Sequence, residues 1–216
     1  MYRLMILLSL VAGLLTAALD MKRRKVPGNY ILMSVFLNVL LILFGGIAST
    51  YFLSSGGETG LTSTGGAVGM LMGALIFSVI TPQYRRDFFC SYILALPLMY
   101  GISKIGCTFA GCCAGMHYEG PFAITGINGD SVFPIQILEV IVFLIVFAVS
   151  LVLEIKDKFR PFAAAIIFAL IKILLDFLRD THKIDVFSPN QYLCFMVIIL
   201  CLFLKLIKSD INSQEF

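Results

Sequence analysis

Long apolar runs alternate with short polar breaks along this chain, and the runs have the length of membrane crossings. A helix needs about 20 mostly apolar residues to cross the hydrocarbon core, and fewer where it is packed inside a bundle. Seven segments meet this pattern: Leu4–Leu19, Tyr30–Ala48, Gly65–Ile80, Phe88–Ile102, Pro134–Leu153, Pro161–Leu178 and Tyr192–Ile207. The third and fourth are short and flank "SKIGCTFAGCCAGMHYEG" (Ser103–Gly120), which holds three of the six cysteines. No repeat, low-complexity linker or polar domain interrupts the series. Residues 1–216 therefore read as one all-α, polytopic transmembrane unit of about seven helices.

Loop charges orient the series. With "DMKRRKVPGN" on the cytoplasmic side, alternation places "QYRRD", "EIKDKFR" and the tail after Leu204 there too, and these hold eleven of sixteen basic residues. The positive-inside rule then predicts an external N-terminus and a cytoplasmic C-terminus. The first segment ends in "LTAALD", as a signal peptide can, but only Arg3 precedes it and "KRRK" follows, the pattern of a retained helix oriented N-out. Composition agrees: 59% of residues are apolar and 13% charged, with mean hydropathy +0.97, where soluble domains sit nearer half and a quarter. A net charge of +3 is too small to imply a nucleic-acid partner.

Ionisable groups at membrane depth cost at least about 2.5 kcal/mol each, so each asks for a partner or a function. Glu139 stands one turn into the fifth segment in "FPIQILE", with Gln136 on the same face. In "LIKILLDFLRD", Lys172, Asp176 and Arg179 fall at i, i+4 and i+7 on the sixth. This stripe is either a self-satisfied Lys172–Asp176 pair or, with Asp180 beside it, the lining of a cavity. Lys104 marks the external end of the fourth. Gly65, Gly69 and Gly73 have the small-xxx-small spacing that lets helices approach closely. Gly106, Gly111 and Gly115 suit a turn or re-entrant segment lining a cavity.

Cys107, Cys112 and Cys113 do not have the paired spacing of a zinc site, and no second pair lies outside the apolar runs. A disulfide from Cys107 to Cys112 or Cys113 stays open, and close packing beside glycines is the simplest role. Cys90, Cys194 and Cys201 lie in apolar runs. A competing signal is "TAALDMKRRKVPGNYILM", which resembles the first catalytic segment of prepilin-type aspartyl proteases. Its partner would be Asp130 in "GINGD", yet alternation puts Asp20 and Asp130 on opposite sides, and a carboxylate dyad needs contact.

Taken in order, four segments resemble the prolipoprotein diacylglyceryl transferase family, over about Leu61 to Lys183. "GLTSTGGAVGMLMG" is similar to its His-Gly-Gly segment, "GISKIGCTFAGCCAG" to its signature G-R-I-G-[NC]-F-x-N-G-[EC]-x-[YW]-G, "FPIQILE" to H-P-[ST]-Q-L-Y-E, and "LIKILLDFLRD" to R-F-x-x-E-F-x-R. The resemblance implies a seven-helix bacterial plasma-membrane enzyme without metal or cofactor. Such an enzyme moves a diacylglyceryl group from phosphatidylglycerol to a lipoprotein signal-peptide cysteine and releases glycerol phosphate. It carries catalytic roles onto Arg179, Lys104 and Lys172 as phosphate-facing cations, and onto Glu139 and Asp176 as the groups that orient them. It carries substrate contacts onto Thr64, Gly65, Gly66, Gly106, Cys107 and Gln136. Thr64 and Phe133 replace the family's histidines, and Lys104 and Lys172 replace arginines. Lysine keeps the charge but not the two-pronged phosphate contact, and threonine is no base near neutral pH. His117, or else His182, is then the candidate base. A lipid- or peptide-binding protein without turnover is the alternative.

Overall fold

The computed structural model describes residues 1–53, 60–126, 129–183 and 186–213. The main elements are α1 (Tyr2–Arg23), α2 (Gly28–Leu53), α3 (Ser63–Ile80), α4 (Arg85–Ala110), β1 (Ile124–Thr125), β2 (Ser131–Val132), α5 (Ile135–Ile155), α6 (Pro161–Asp176) and α7 (Pro189–Ser213). Short 3-10 turns at Pro82–Tyr84 and Asp180–Lys183 lead into α4 and follow α6. Helices α1 to α5 are long and apolar enough to cross a membrane. Helix α6 has 16 residues and the apolar part of α7, Pro189–Leu204, is also shorter. The protein is an all-helical, multi-pass membrane protein with a single two-stranded hairpin among the described residues.

Helix α4 is the axis of the bundle and packs against α1, α3, α5 and α6. Its first half, Phe88 to Ala95, is buried on every side and is apolar as a central helix should be, apart from the hydroxyls of Ser91 and Tyr92, which donate to Asp20 and Ser34. Around it, the outer helices turn one face to lipid: on α5, Ile137, Ile141, Ile145 and Val149 repeat every four residues and are all exposed. The α2–α3 pair is the small-residue interface expected from the glycine spacing. A Cβ on Gly69 would lie 2.0 Å from the Leu41 carbonyl oxygen, and one on Gly73 2.4 Å from Asn38 Oδ1, so the backbones touch because nothing stands between them.

Several boundaries differ from expectation, and two of them matter for the site. Helix α4 runs eight residues past Ile102, through the signature stretch, and stops where Gly111 takes a left-handed conformation (φ 64°). Gly106 is thus a helical packing position and not a turn: a Cβ there would meet Met5 Cβ at 2.9 Å, on α1. Helix α6 ends at Asp176, two residues before the expected Leu178. Arg179 therefore lies beyond the helix, and its backbone bridges to Gly115. That pairing ties the loop after α4 to the loop after α6.

At the opposite end of α4, Asp20 accepts hydrogen bonds from Arg23 Nε (3.1 Å), Arg24 Nε (3.0 Å) and Ser91 Oγ (2.8 Å). Arg24 also reaches Asp87 at 3.1 Å, and both arginines pair with the buried Glu154. This network joins the ends of α1, α4 and α5.

Candidate active site

Glu139 is the hub. It is fully buried on α5, one turn after Pro134 starts the helix, and groups from three other elements converge on it. Arg179 Nη2 donates to both of its oxygens at 2.8 and 2.7 Å. Lys172 Nζ donates to Oε1 at 3.2 Å, Tyr100 Oη donates to the same oxygen at 2.9 Å, and Lys104 Nζ lies 3.3 Å from Oε2. Asp176 is the second anion: Lys172 donates to it at 2.6 Å, Arg179 Nε lies 3.1 Å away, and Ser188 Oγ donates to its other oxygen. The sequence alternatives for Lys172 and Asp176 therefore merge. They do pair, and the pair is part of a larger cluster.

That cluster holds Lys104, Lys172 and Arg179 against Glu139 and Asp176, +3 against −2, for a formal charge of +1. All five side chains are buried, where each unpaired charge would cost several kcal/mol. The cluster borders a polar cavity of about 130 Å³ lined by Lys104, Lys172, Arg179, Thr64, Asn190 and the three neighbouring cysteines. Two apolar cavities flank it, one of about 90 Å³ beside Leu10, Leu43, Met70 and Met99. The other, of about 80 Å³, lies beside Leu71, Pro97, Phe168 and Val197. The Tyr100 ring borders all three cavities, and Lys104 and Lys172 sit 5.0 and 5.6 Å from its centroid, within cation–π range.

The remaining expected site residues separate into three groups. Thr64 and Cys107 line the polar cavity, and Gly66 lines the first apolar one. Gln136 does not reach the cations; its Nε2 donates to the Cys112 carbonyl at 2.8 Å and pins the cysteine turn. Gly65 and Gly106 serve packing, Gly65 because a Cβ would fall 2.4 Å from the Gly45 carbonyl oxygen on α2. His117 is 60% exposed and faces Glu119 at 3.4 Å, so it is a surface group of the hairpin region, bridged to Val132. The side chains of His182 and Lys183 lie outside the described residues.

Three members escaped the sequence reading. Tyr100 sits in an apolar run, where an aromatic ring raises no question. Asn190 borders the cavity from the start of α7. Ser188 had a legible signal: "SPNQ" forms a capping box, with Ser188 N–H donating to Gln191 Oε1 at 2.9 Å and Gln191 N–H to Ser188 Oγ at 3.3 Å. The cysteines also gather here. Cys107, Cys112 and Cys113 place their sulfurs within 4.8 Å of one another. The hydrogen bond from Cys107, with Lys104 and Arg179 nearby, holds the Cys113 thiol far below the ordinary thiol range, at about 4. Burial pushes the Cys112 thiol up.

Asp20 and Asp130 form no dyad. Asp20 bonds to Ser91 near the start of α4, whereas Tyr2 and Met5 of the same helix pack on Gly106 near its end, so α1 runs antiparallel to α4. Asp130 belongs to the hairpin beyond that far end, roughly 25 Å from Asp20 at 1.5 Å per helical residue.

The fold and this cluster define a multi-pass membrane protein with a buried cationic pocket opening between apolar chambers. A family model, prolipoprotein diacylglyceryl transferase, matches residues 1–207. The chain belongs to that family of transferases. A search of curated proteins finds no match.

Proposed function

We propose that this protein takes a diacylglyceryl group from an anionic glycerophospholipid, phosphatidylglycerol in the family's reaction, and transfers it to the cysteine thiol of a prolipoprotein. The observation that carries this reading is the +1 cluster at the junction of one polar and two apolar cavities. A phosphodiester brings a single negative charge and two acyl chains, which matches that arrangement in charge and in shape. The bond to be broken joins the glycerol carbon to a phosphate oxygen, and negative charge develops on that oxygen as the carbon–sulfur bond forms. Cations fixed beforehand in a dry site stabilise such charge far better than mobile ones. Arg179, with Nη2 and Nε turned to Glu139 and Asp176, brings its charge and the Nη1 donors to the phosphate, and Lys104 and Lys172 add point charges. Glu139 and Asp176 hold all three in place, so that little reorganisation is left for the reaction.

The basic loops favour an external N-terminus and polar cavity, and the family implies a bacterial plasma membrane. Thiol labelling of Cys113 from outside intact cells would support that orientation; labelling only after permeabilisation would reverse it.

A second reading is a lipid-binding relative without turnover, favoured by Thr64 and Phe133 standing where histidines are expected. Incubation of the purified protein with labelled phosphatidylglycerol and a lipobox peptide decides between them. Transfer to the peptide cysteine, lowered about 10²- to 10³-fold by Arg179→Gln, is the expected result. Lipid that co-purifies and is never transferred would establish the second reading.

A further inference from the structure

We propose that Cys107, Cys112 and Cys113 form a three-thiolate site for Zn²⁺ whose fourth position faces the polar cavity and takes the acceptor thiol. This rests on the transferase reading for its role, but its ligands are read from geometry alone. On the linear chain the spacing argues against a metal, because adjacent cysteines and a four-residue gap make no paired ligand set. The fold changes this. Gly111 ends α4 with φ 64° and Cys113 is itself left-handed at φ 62°, so the chain doubles back over the last helical turn. Cys112 Sγ comes within 3.9 Å of the Cys107 carbonyl oxygen, Gln136 holds the Cys112 carbonyl, and the three sulfurs lie within 4.8 Å of one another. Zinc–sulfur bonds of about 2.3 Å require sulfurs about 3.8 to 4.0 Å apart, so shifts of under about 1 Å complete the site.

Charge supports it as well. Three thiolates around Zn²⁺ total −1, beside a cation cluster of formal +1 in the same cavity lining. Three protein ligands with an open fourth position is the pattern of catalytic zinc, while structural zinc is closed by four. The open position supplies what the cavity otherwise lacks. Thr64 cannot act as a base there, and His117 is exposed on the hairpin. A thiol that coordinates zinc is deprotonated outright. Its proton passes to water, its sulfur forms the bond to the glycerol carbon, and the carbon–oxygen bond breaks with its electron pair leaving on glycerol phosphate beside Arg179.

The test uses the full chain in detergent, reduced, stripped with chelator and titrated with Co²⁺. The expected result is a thiolate-to-cobalt charge-transfer band saturating at one ion per chain. Cys113→Ser, at an exposed position, should remove about a third of the band and weaken binding more than about tenfold. Adding a lipobox peptide should convert the spectrum to that of four sulfur ligands, and a Cys→Ser peptide should not. Absence of the band, or protein isolated without reductant carrying a Cys107–Cys112 or Cys107–Cys113 disulfide and no metal, overturns the site. A band that the peptide leaves unchanged overturns the acceptor position. A band that responds to the peptide, in a protein that transfers nothing from phosphatidylglycerol, upholds the zinc site and defeats the choice of donor instead.

Discussion

Replacing Glu139 with glutamine keeps the side chain's volume and takes one charge from the hub of the buried cluster. Glu139 has Arg179 at 2.7 and 2.8 Å, Tyr100 at 2.9 Å, Lys172 at 3.2 Å and Lys104 at 3.3 Å. Without its charge, three buried cations share Asp176 alone and the cluster goes from +1 to +2. Breaking a buried pair by removing one partner costs about 3–5 kcal/mol, because the surviving charge stays desolvated. For a chain of this size about 2–4 °C of melting temperature accompanies each kcal/mol, so Glu139→Gln should lower it by about 6–20 °C. Tyr100→Phe, which removes one hydrogen bond to a charged acceptor, should cost only about 1.5–3 kcal/mol. Glu139→Gln combined with Lys104→Met returns the cluster to +1, and the pair should be less harmful than the sum of the two changes by about 1 kcal/mol or more. Retention of a monodisperse size-exclusion peak after heating in detergent compares the four variants, Lys104→Met alone included, with the unsubstituted protein. A fall of under about 2 °C for Glu139→Gln, or strict additivity in the double variant, would refute the charge-balance argument.

Other substitutions probe separate parts of the molecule. Arg179→Lys keeps the charge and loses the two-pronged geometry, and lipid transfer should drop at least about tenfold in kcat with the melting temperature changed less than by Arg179→Gln. Gly69→Ala must push α2 from α3, since its Cβ would sit 2.0 Å from the Leu41 carbonyl oxygen; a cost of about 1–3 kcal/mol in the heating assay is expected. Gly28→Ala, with nothing within 4 Å of its added carbon, should leave stability unchanged, and a loss equal to that of Gly69→Ala would count against the interface. Asp20→Asn weakens bonds to Arg23, Arg24 and Ser91 and should cost about 1–3 kcal/mol while transfer per folded molecule persists. Peptide-bond cleavage abolished by that change would instead support the aspartyl protease reading.

The ionisable members of the cluster were legible because charge at membrane depth is costly enough to stand out in an apolar run. Glu139, Lys172, Asp176, Arg179 and Lys104 were each conspicuous for this reason alone. Their partners were less so. A tyrosine such as Tyr100 fits an apolar run as easily as a phenylalanine, and only its distance to Glu139 reveals the hydrogen bond. The regular stripe drawn through Arg179 assumed that α6 continued, whereas the helix stops at Asp176 and the loop carries Arg179 to Gly115. The same kind of assumption made Gly106 a turn residue, although the turn falls at Gly111.

What the chain's sequence determined by itself is therefore local: which stretches are apolar helices, where small residues allow close approach, and which charges demand a partner. These follow from the period of one helix and the cost of burying one group, and both are properties of neighbouring residues. What only the tertiary structure decided is convergence. Glu139 on α5 gathers cations from α4, α6 and the loop beyond it, and three thiols with unpromising spacing meet where Gly111 turns the chain. Such meetings depend on how separate helices pack and where each one ends, and the periodicity of a single segment carries no record of either.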